Sequence, residues 1–303
     1  MPEIAINLEG QNGLNWPRWK RIAAAVEDLG YAALTRSDHF TNPNPPDMDS
    51  LELWVSLTWL ADNTKRIEFG PLVSPVSFRH PAMTARMATA VDDLSGGRLV
   101  LGVGAGWQVR EHHNFSYDLL DVPQRMARFE EGLSIIHHLL KKDEPLDYPG
   151  QYYQMHEAVI LPRPQRPGGT RLLVGGNGPT RTLPLTATYA DEWNGVFLPA
   201  SRYAELSTLL DSLLRERGRE PASVRRSLMT GIVFGRTAQE VEARLQDRDR
   251  GELRARGILV GTADEIADQV AELDAAGVQR LMLQWLDQDD IEGLEILARR
   301  LIG

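Results

Sequence analysis

The sequence predicts an α/β fold, a single-domain (β/α)8 barrel with an insertion between its fourth and fifth strands. Three observations predict it. Eight short apolar runs alternate with amphipathic helical stretches, a pattern that implies parallel strands joined by right-handed crossovers. The 303 residues match the ~250 that eight such units typically need, plus insertions. The segments VEDLGYAALTRS and ELDAAGVQRLMLQW share a helix–Gly–strand form, an echo of one repeated unit.

The first strand is EIAINLE (Glu3 to Glu9), and the helix after it runs from Pro17 to Gly30, with proline early and glycine at its end. YAALTRS (Tyr31 to Ser37) is the second strand, followed by a helix over Leu51 to Thr64. RIEFGPLVS is the third, and Pro81 to Gly97 the helix leading into RLVLGVGAG, the fourth. No helix is expected directly after GVGAGW; the next one is ARFEEGLSIIHHLLKK. RLLVGGN, EWNGVFL, RRSLMTGIVFG and QRLMLQW complete the eight strands, with TADEIADQVAELDAAGV as the helix before the last. An open doubly wound sheet is the competing architecture, with GVGAG as its glycine turn, but the G-x-G-x-x-G spacing is missing.

No domain boundary is visible within residues 1–303. The stretch from Lys141 to Thr170 carries prolines, glycines and aromatics without helical period. It is expected to be an inserted excursion, with a short hairpin, and long insertions on barrels often serve as lids.

Composition sets aside several function classes. A net charge of −9 argues against a nucleic-acid or anionic-membrane surface, since either needs a basic footprint. The absence of cysteine removes disulfides, thiolate metal sites and cysteine nucleophiles. MPEIAINLEG lacks a basic region followed by an apolar core, and no run of about 18 apolar residues occurs. A soluble cytoplasmic protein is the expectation.

In a barrel of this kind the active site lies at the C-terminal ends of the strands. TRSDHF (Thr35 to Phe40) therefore stands out, because Asp38 and His39 sit at the mouth of the second strand. The same rule selects Glu9 after the first strand, LVSPVS after the third, GAGW after the fourth and GGNGPT after the fifth. Adjacent strand residues face opposite sides, so Asp38 and His39 are not expected to share a metal. A histidine fixed by hydrogen bonds can shuttle a proton near neutral pH; the bland alternative is a solvated loop.

VGGNGPTRTL reads as a phosphate cradle. Gly176 and Gly178 let the backbone approach, Pro179 suits a first helical turn, and Asn177 and Thr180 offer donors. An ordinary tight turn is the alternative. Thr262 and Glu265 in GTADE form a capping box. His137 and His138 lie in a helical segment and read as structural, whereas His112 and His113 either line the pocket or sit in a solvated loop. No nucleophile elbow, Walker loop or zinc signature occurs.

The order of these motifs resembles the luciferase-like flavin and deazaflavin oxidoreductases across essentially the whole chain. The matching pieces are SDHF, GPLVSPVSFRHPAMTARMATAVDDLSGGRLVLGVGAGW, and LLVGGNGPTRTLPLTATYADEWN. The resemblance implies a tricyclic redox cofactor held across the C-terminal mouth. It also implies a bulge with a non-prolyl cis peptide after the third strand, nearest Pro71, Leu72 and Val73. Gly104, Ala105 and Gly106 would border the cofactor, and Gly176, Asn177, Gly178 and Thr180 would meet its phosphate.

The Ser-Asp-His form is similar to the deazaflavin branch, where those residues approach the ring. The implied activity is hydride exchange between deazaflavin coenzyme F-420 and a small organic substrate, with Asp38, His39 and Glu9 as catalytic candidates. Carbon replaces the reactive nitrogen of flavin in a deazaflavin, which favours hydride transfer over oxygen activation. Some relatives carry an acid after the strand-four glycines, where this chain has Trp107; it is expected to be a pocket wall, with a core plug as the alternative. Ala105 stands where true luciferases carry arginine, which argues against light emission. The alternatives are an FMN-dependent monooxygenase and a non-catalytic flavin-binding protein. A Schiff-base aldolase is disfavoured because the strand-end motifs contain no lysine. The family also implies a homodimer.

Overall fold

The computed structural model describes residues 1–303. β1 (Glu3–Leu8) is followed by α1 (Trp16–Asp28), and β2 (Ala33–Arg36) by α2 (Leu53–Asn63). β3 (Glu68–Pro71) continues into the two-residue β4 (Ser74–Pro75) and α3 (Pro81–Leu94). β5 (Val100–Gly104) leads to the short α4 (Val109–Asn114) and the long α5 (Val122–Lys141). A hairpin of β6 (Leu146–Pro149) and β7 (Gln154–Ala158) precedes β8 (Arg171–Gly175) and α6 (Thr182–Tyr189). β9 (Glu192–Val196) and α7 (Ala200–Glu216) come next, then β10 (Arg225–Phe234). After it come α8 (Ala238–Leu245), α9 (Arg250–Ala255), β11 (Leu259–Gly261) and α10 (Ala263–Ala275). β12 (Arg280–Gln284) and α11 (Ile291–Leu301) complete the element order.

Parallel pairing runs β3-β2-β1-β12-β10-β9-β8-β5-β4. Because β4 continues β3 and Phe69 bridges Leu99, the ring closes between its third and fourth units. The barrel is therefore the predicted one. Its strands alternate because a pleated backbone turns successive side chains to opposite faces. Ile4, Ile6 and Leu8 of β1 join the large core between strands and helices. Ala5 instead meets Ala33, Leu72, Val100, Leu173, Met229 and Met282 in a plug inside the barrel.

Helix starts follow local chemistry. The Asn15 side chain accepts from the Arg18 amide at 3.2 Å with Pro17 in the first turn, and Asp121 caps α5 similarly. Thr262 and Glu265 form the expected capping box on α10.

Four local expectations need correction. A helix, α4, does begin shortly after GVGAGW, at Val109. Two short helices and β11 occupy the stretch between β10 and α10. Pro179 is not in the first turn of α6, which starts at Thr182. The hairpin of the excursion forms as expected, but it packs beside α5, with Glu131 accepting from the Gln151 and Tyr152 amides. It is no lid: residues 141–170 contribute nothing to the cavity at the C-terminal mouth.

Candidate active site

The C-terminal ends of the strands surround a cavity of about 610 Å³. Its floor begins with β1, whose alternation carries Asn7 and Glu9 on beyond Ala5 on the barrel side. Glu9 is half-buried and accepts hydrogen bonds from Gln284 Nε2 at 2.7 Å and Gln11 Nε2 at 3.0 Å. All its partners are neutral amides.

After β2 the chain presents two ionisable groups in succession, and they diverge. Asp38 is buried and turns towards β4: it accepts from Ser74 Oγ at 2.8 Å and from both terminal nitrogens of Arg79. Burial opposes charge on the Arg79 guanidinium, but Asp38 and Glu52 more than restore it. His39 turns the other way. Its Nδ1 lies 2.8 Å from Glu111 Oε1, while Glu111 Oε2 accepts from the Phe40 amide at 3.0 Å. Phe40 stacks on Phe78 at 4.7 Å, which anchors this turn.

Glu111 belongs to α4 and is 1% exposed. It was not singled out from sequence, because a six-residue helix is too short to announce itself by period and the pairing spans 72 positions. Burial alone would depress the His39 pKa. The hydrogen bond and charge of Glu111, with weaker help from Glu9 and Asp38, outweigh burial and raise it above the ordinary value of 6.5.

The third strand carries the feature that the resemblance implied. A non-prolyl cis peptide bond joins Leu72 to Val73, between β3 and β4, and both residues line the cavity. Pro71 is buried at the end of β3 and lies outside the lining. The neighbouring glycines exist for close packing. A Cβ on Gly70 would lie 1.9 Å from the Val100 carbonyl oxygen, and one on Gly104 would lie 2.6 Å from Val73 Cγ2. Gly104, Ala105 and Gly106 also border the cavity.

Trp107 is 60% exposed and lines the same space, with its ring edge-on to His39 at 5.4 Å. It is no core plug.

Gly175 and Gly176 line the cavity, whereas Asn177, Gly178 and Thr180 lie outside it. The Asn177 amide is committed to β9: it donates to the Val196 carbonyl at 2.7 Å and accepts from the Val196 amide at 2.9 Å. It ties two barrel strands together with its oxygen and one of its two N–H groups. The backbone amides of Gly178, Thr180, Arg181 and Thr182 have no protein acceptor.

His112 and His113 do not line the cavity. His112 is buried between Ser77 Oγ at 2.8 Å and the Gln108 carbonyl at 2.7 Å, and His113 is exposed. His137 of α5 rests edge-on against Tyr189 of α6, and burial pushes its pKa down to about 4. At the opposite, N-terminal end of the barrel, Arg280 bridges Glu3 and Glu68, and Arg171 and Arg225 pair with Glu68.

Comparison with known proteins agrees with this architecture. A family model described as luciferase-like monooxygenase matches residues 5–251. The 4-hydroxyprotoasukamycin monooxygenase of Streptomyces nodosus subsp. asukaensis is 29% identical over 95% of this chain and 86% of its own. The phthiodiolone/phenolphthiodiolone dimycocerosates ketoreductase of Mycobacterium kansasii is 30% identical over 89% of this chain and 71% of its own. Among solved structures, an F-420-dependent secondary alcohol dehydrogenase in complex with an F-420–acetone adduct superposes with a TM-score of 0.84 at 18% identity, covering 99% of both chains.

Proposed function

The chain belongs to the luciferase-like monooxygenase family, and from that premise we propose that it is an oxidoreductase exchanging hydride between deazaflavin coenzyme F-420 and a small organic alcohol or ketone. The observation that carries this reading is the His39–Glu111 pair at the cavity mouth. An alcohol losing hydride from its carbinol carbon must also lose its hydroxyl proton, so the site needs a proton acceptor facing the substrate. With Nδ1–H donated to Glu111, neutral His39 keeps a free lone pair on Nε2 for that proton. In the reverse direction the same nitrogen returns the proton to a ketone oxygen.

The residues present fit the coenzyme. A cavity of about 610 Å³ is within the range of about 300–1,000 Å³ that cofactor-sized sites occupy. Leu72, Val73, Gly104, Ala105, Gly106, Gly175 and Gly176 give it a wall of small and apolar groups against which a flat ring can lie. The unpaired amides from Gly178 to Thr182 suit a phosphate. When bound, the deazaflavin supplies the acceptor or donor of the hydride. Asp38 is read as a positioning residue: its carboxylate is spent on Ser74 and Arg79, so it fixes the turn that aims His39. Glu9 polarises the floor and orders Gln11 and Gln284. Trp107 shields one side of the substrate space. Binding of the related alcohol dehydrogenase to an F-420–acetone adduct supports the reading.

The monooxygenase name of the first curated relative keeps FMN-dependent oxygenation as the competing reading, and oxygen separates the two. Conversion of an alcohol with oxidised deazaflavin should proceed equally well without dioxygen. Strict dependence on dioxygen and reduced FMN would contradict the proposal.

A further inference from the structure

Resting on the reading just given, we infer that the site takes neutral, apolar alcohols or ketones and turns away those that carry a carboxylate or phosphate. The residues lining the cavity include Glu9, Asp38 and Glu111 but no lysine or arginine. Asp38 is neutralised by Arg79, whereas Glu111 only accepts a hydrogen bond from the neutral His39 ring. Glu9 makes no direct ion pair, since Asn7, Gln11 and Gln284 are all neutral donors.

Two cations lie behind this wall, and neither reaches through it. Arg36 is 1% exposed and donates to Ser56 Oγ and the Leu51 carbonyl. Arg79 is committed to Asp38 and Glu52. An anionic substrate would shed water only to face carboxylates, with no cation in the lining to pair with, in a space of reduced dielectric. A neutral one meets no such penalty.

The apolar side of the argument is independent of charge. Trp107, Phe197 and Leu286 are all large, all line the cavity, and are 60%, 37% and 51% exposed. Exposed apolar side chains gathered at one opening mark a surface for an apolar ligand. Phe197 even holds a positive φ of 50°, a conformation that bulky residues seldom adopt and that tends to persist where it serves a site. Deeper in, Met229 continues the apolar wall. An alkyl or ring substituent would lie along these residues with its hydroxyl towards His39.

The test uses two probes that differ by one group, octan-2-ol and 2-hydroxyoctanoate, in which a carboxylate replaces the methyl beside the carbinol. Calorimetric titration of the protein loaded with oxidised deazaflavin should show the alcohol binding about tenfold or more tightly than the hydroxy acid. Equal or tighter binding of the hydroxy acid, or no binding of the alcohol, overturns the inference. Trp107→Ala alters an exposed side chain and should fold normally. It should weaken octan-2-ol binding about fivefold while coenzyme affinity stays within about twofold; unchanged alcohol binding removes the apolar rim from the argument. Coenzyme binding measured before any alcohol is added reports separately on the proposed function. If it fails, the same pair of probes is titrated into the cofactor-free protein, whose lining still demands the same preference.

Discussion

A neutral His39 whose Nδ1–H is held by Glu111 has one basic position left, Nε2, and the pH at which that position opens is set by its surroundings. The folded pKa lies above 6.5 because Glu111 outweighs burial. The pairing of protonated His39 with Glu111 therefore stabilises the fold fully below pH 6.5, and this contribution is lost as pH rises through the folded value. Alcohol oxidation needs the neutral ring, so kcat/KM should rise over that same interval, with its inflection above 6.5. Glu111→Gln removes the charge that raises the value, and the inflection should move down. A profile that does not move would show that another group is titrating. His39→Ala should lower turnover about a hundredfold or more, and because it leaves the buried Glu111 without its ring partner the variant should fold with a lowered Tm. Asp38 has a different kind of role. Asp38→Ala leaves Arg79 with only Glu52, and denaturant unfolding should show a loss of about 3 kcal/mol.

At the scale of elements, the bulge between β3 and β4 depends on neighbours that have no side chain. Gly70→Ala would press a methyl against the Val100 carbonyl at 1.9 Å, a backbone atom that cannot rotate away. A loss of about 3 kcal/mol or more is expected in unfolding, and wild-type stability would mean that β3 and β5 separate easily. Gly178 is a contrasting case, since a Cβ there meets Thr182 Oγ1 at 2.8 Å, the tip of a side chain. Gly178→Asp should weaken coenzyme binding about tenfold while the cofactor-free Tm holds; unchanged binding would place the phosphate elsewhere.

The eight barrel strands were legible because each is a short apolar run framed by helical period, and Glu9, Asp38, His39 and Trp107 were legible from their places after strands. Glu111 and Arg79 were not. Each gains its meaning from a partner far along the chain, and only the closed barrel brings α4 and the loop after β4 to the turn after β2. The bonds of the Asn177 side chain across to Val196 in the next strand were likewise not legible, a contact that no local pattern encodes.

Over the whole molecule, the inward column of β1 summarises a division of labour. Glu3 meets Arg280 at the N-terminal end, Ala5 joins the apolar plug, and Glu9 forms part of the cavity floor. One end is closed by ion pairs and the middle by hydrocarbon, so the chemistry is confined to the C-terminal mouth. That mouth combines a small-residue wall, a turn with unpaired main-chain amides and the His39–Glu111 pair, and the proposal of a hydride coenzyme rests on them. The most direct test is titration of the cofactor-free protein with oxidised deazaflavin coenzyme F-420 and with FMN side by side. The deazaflavin should bind about tenfold or more tightly, a difference of ~1.4 kcal/mol. Equal affinities, or tighter binding of FMN, would contradict the assignment to hydride exchange with F-420.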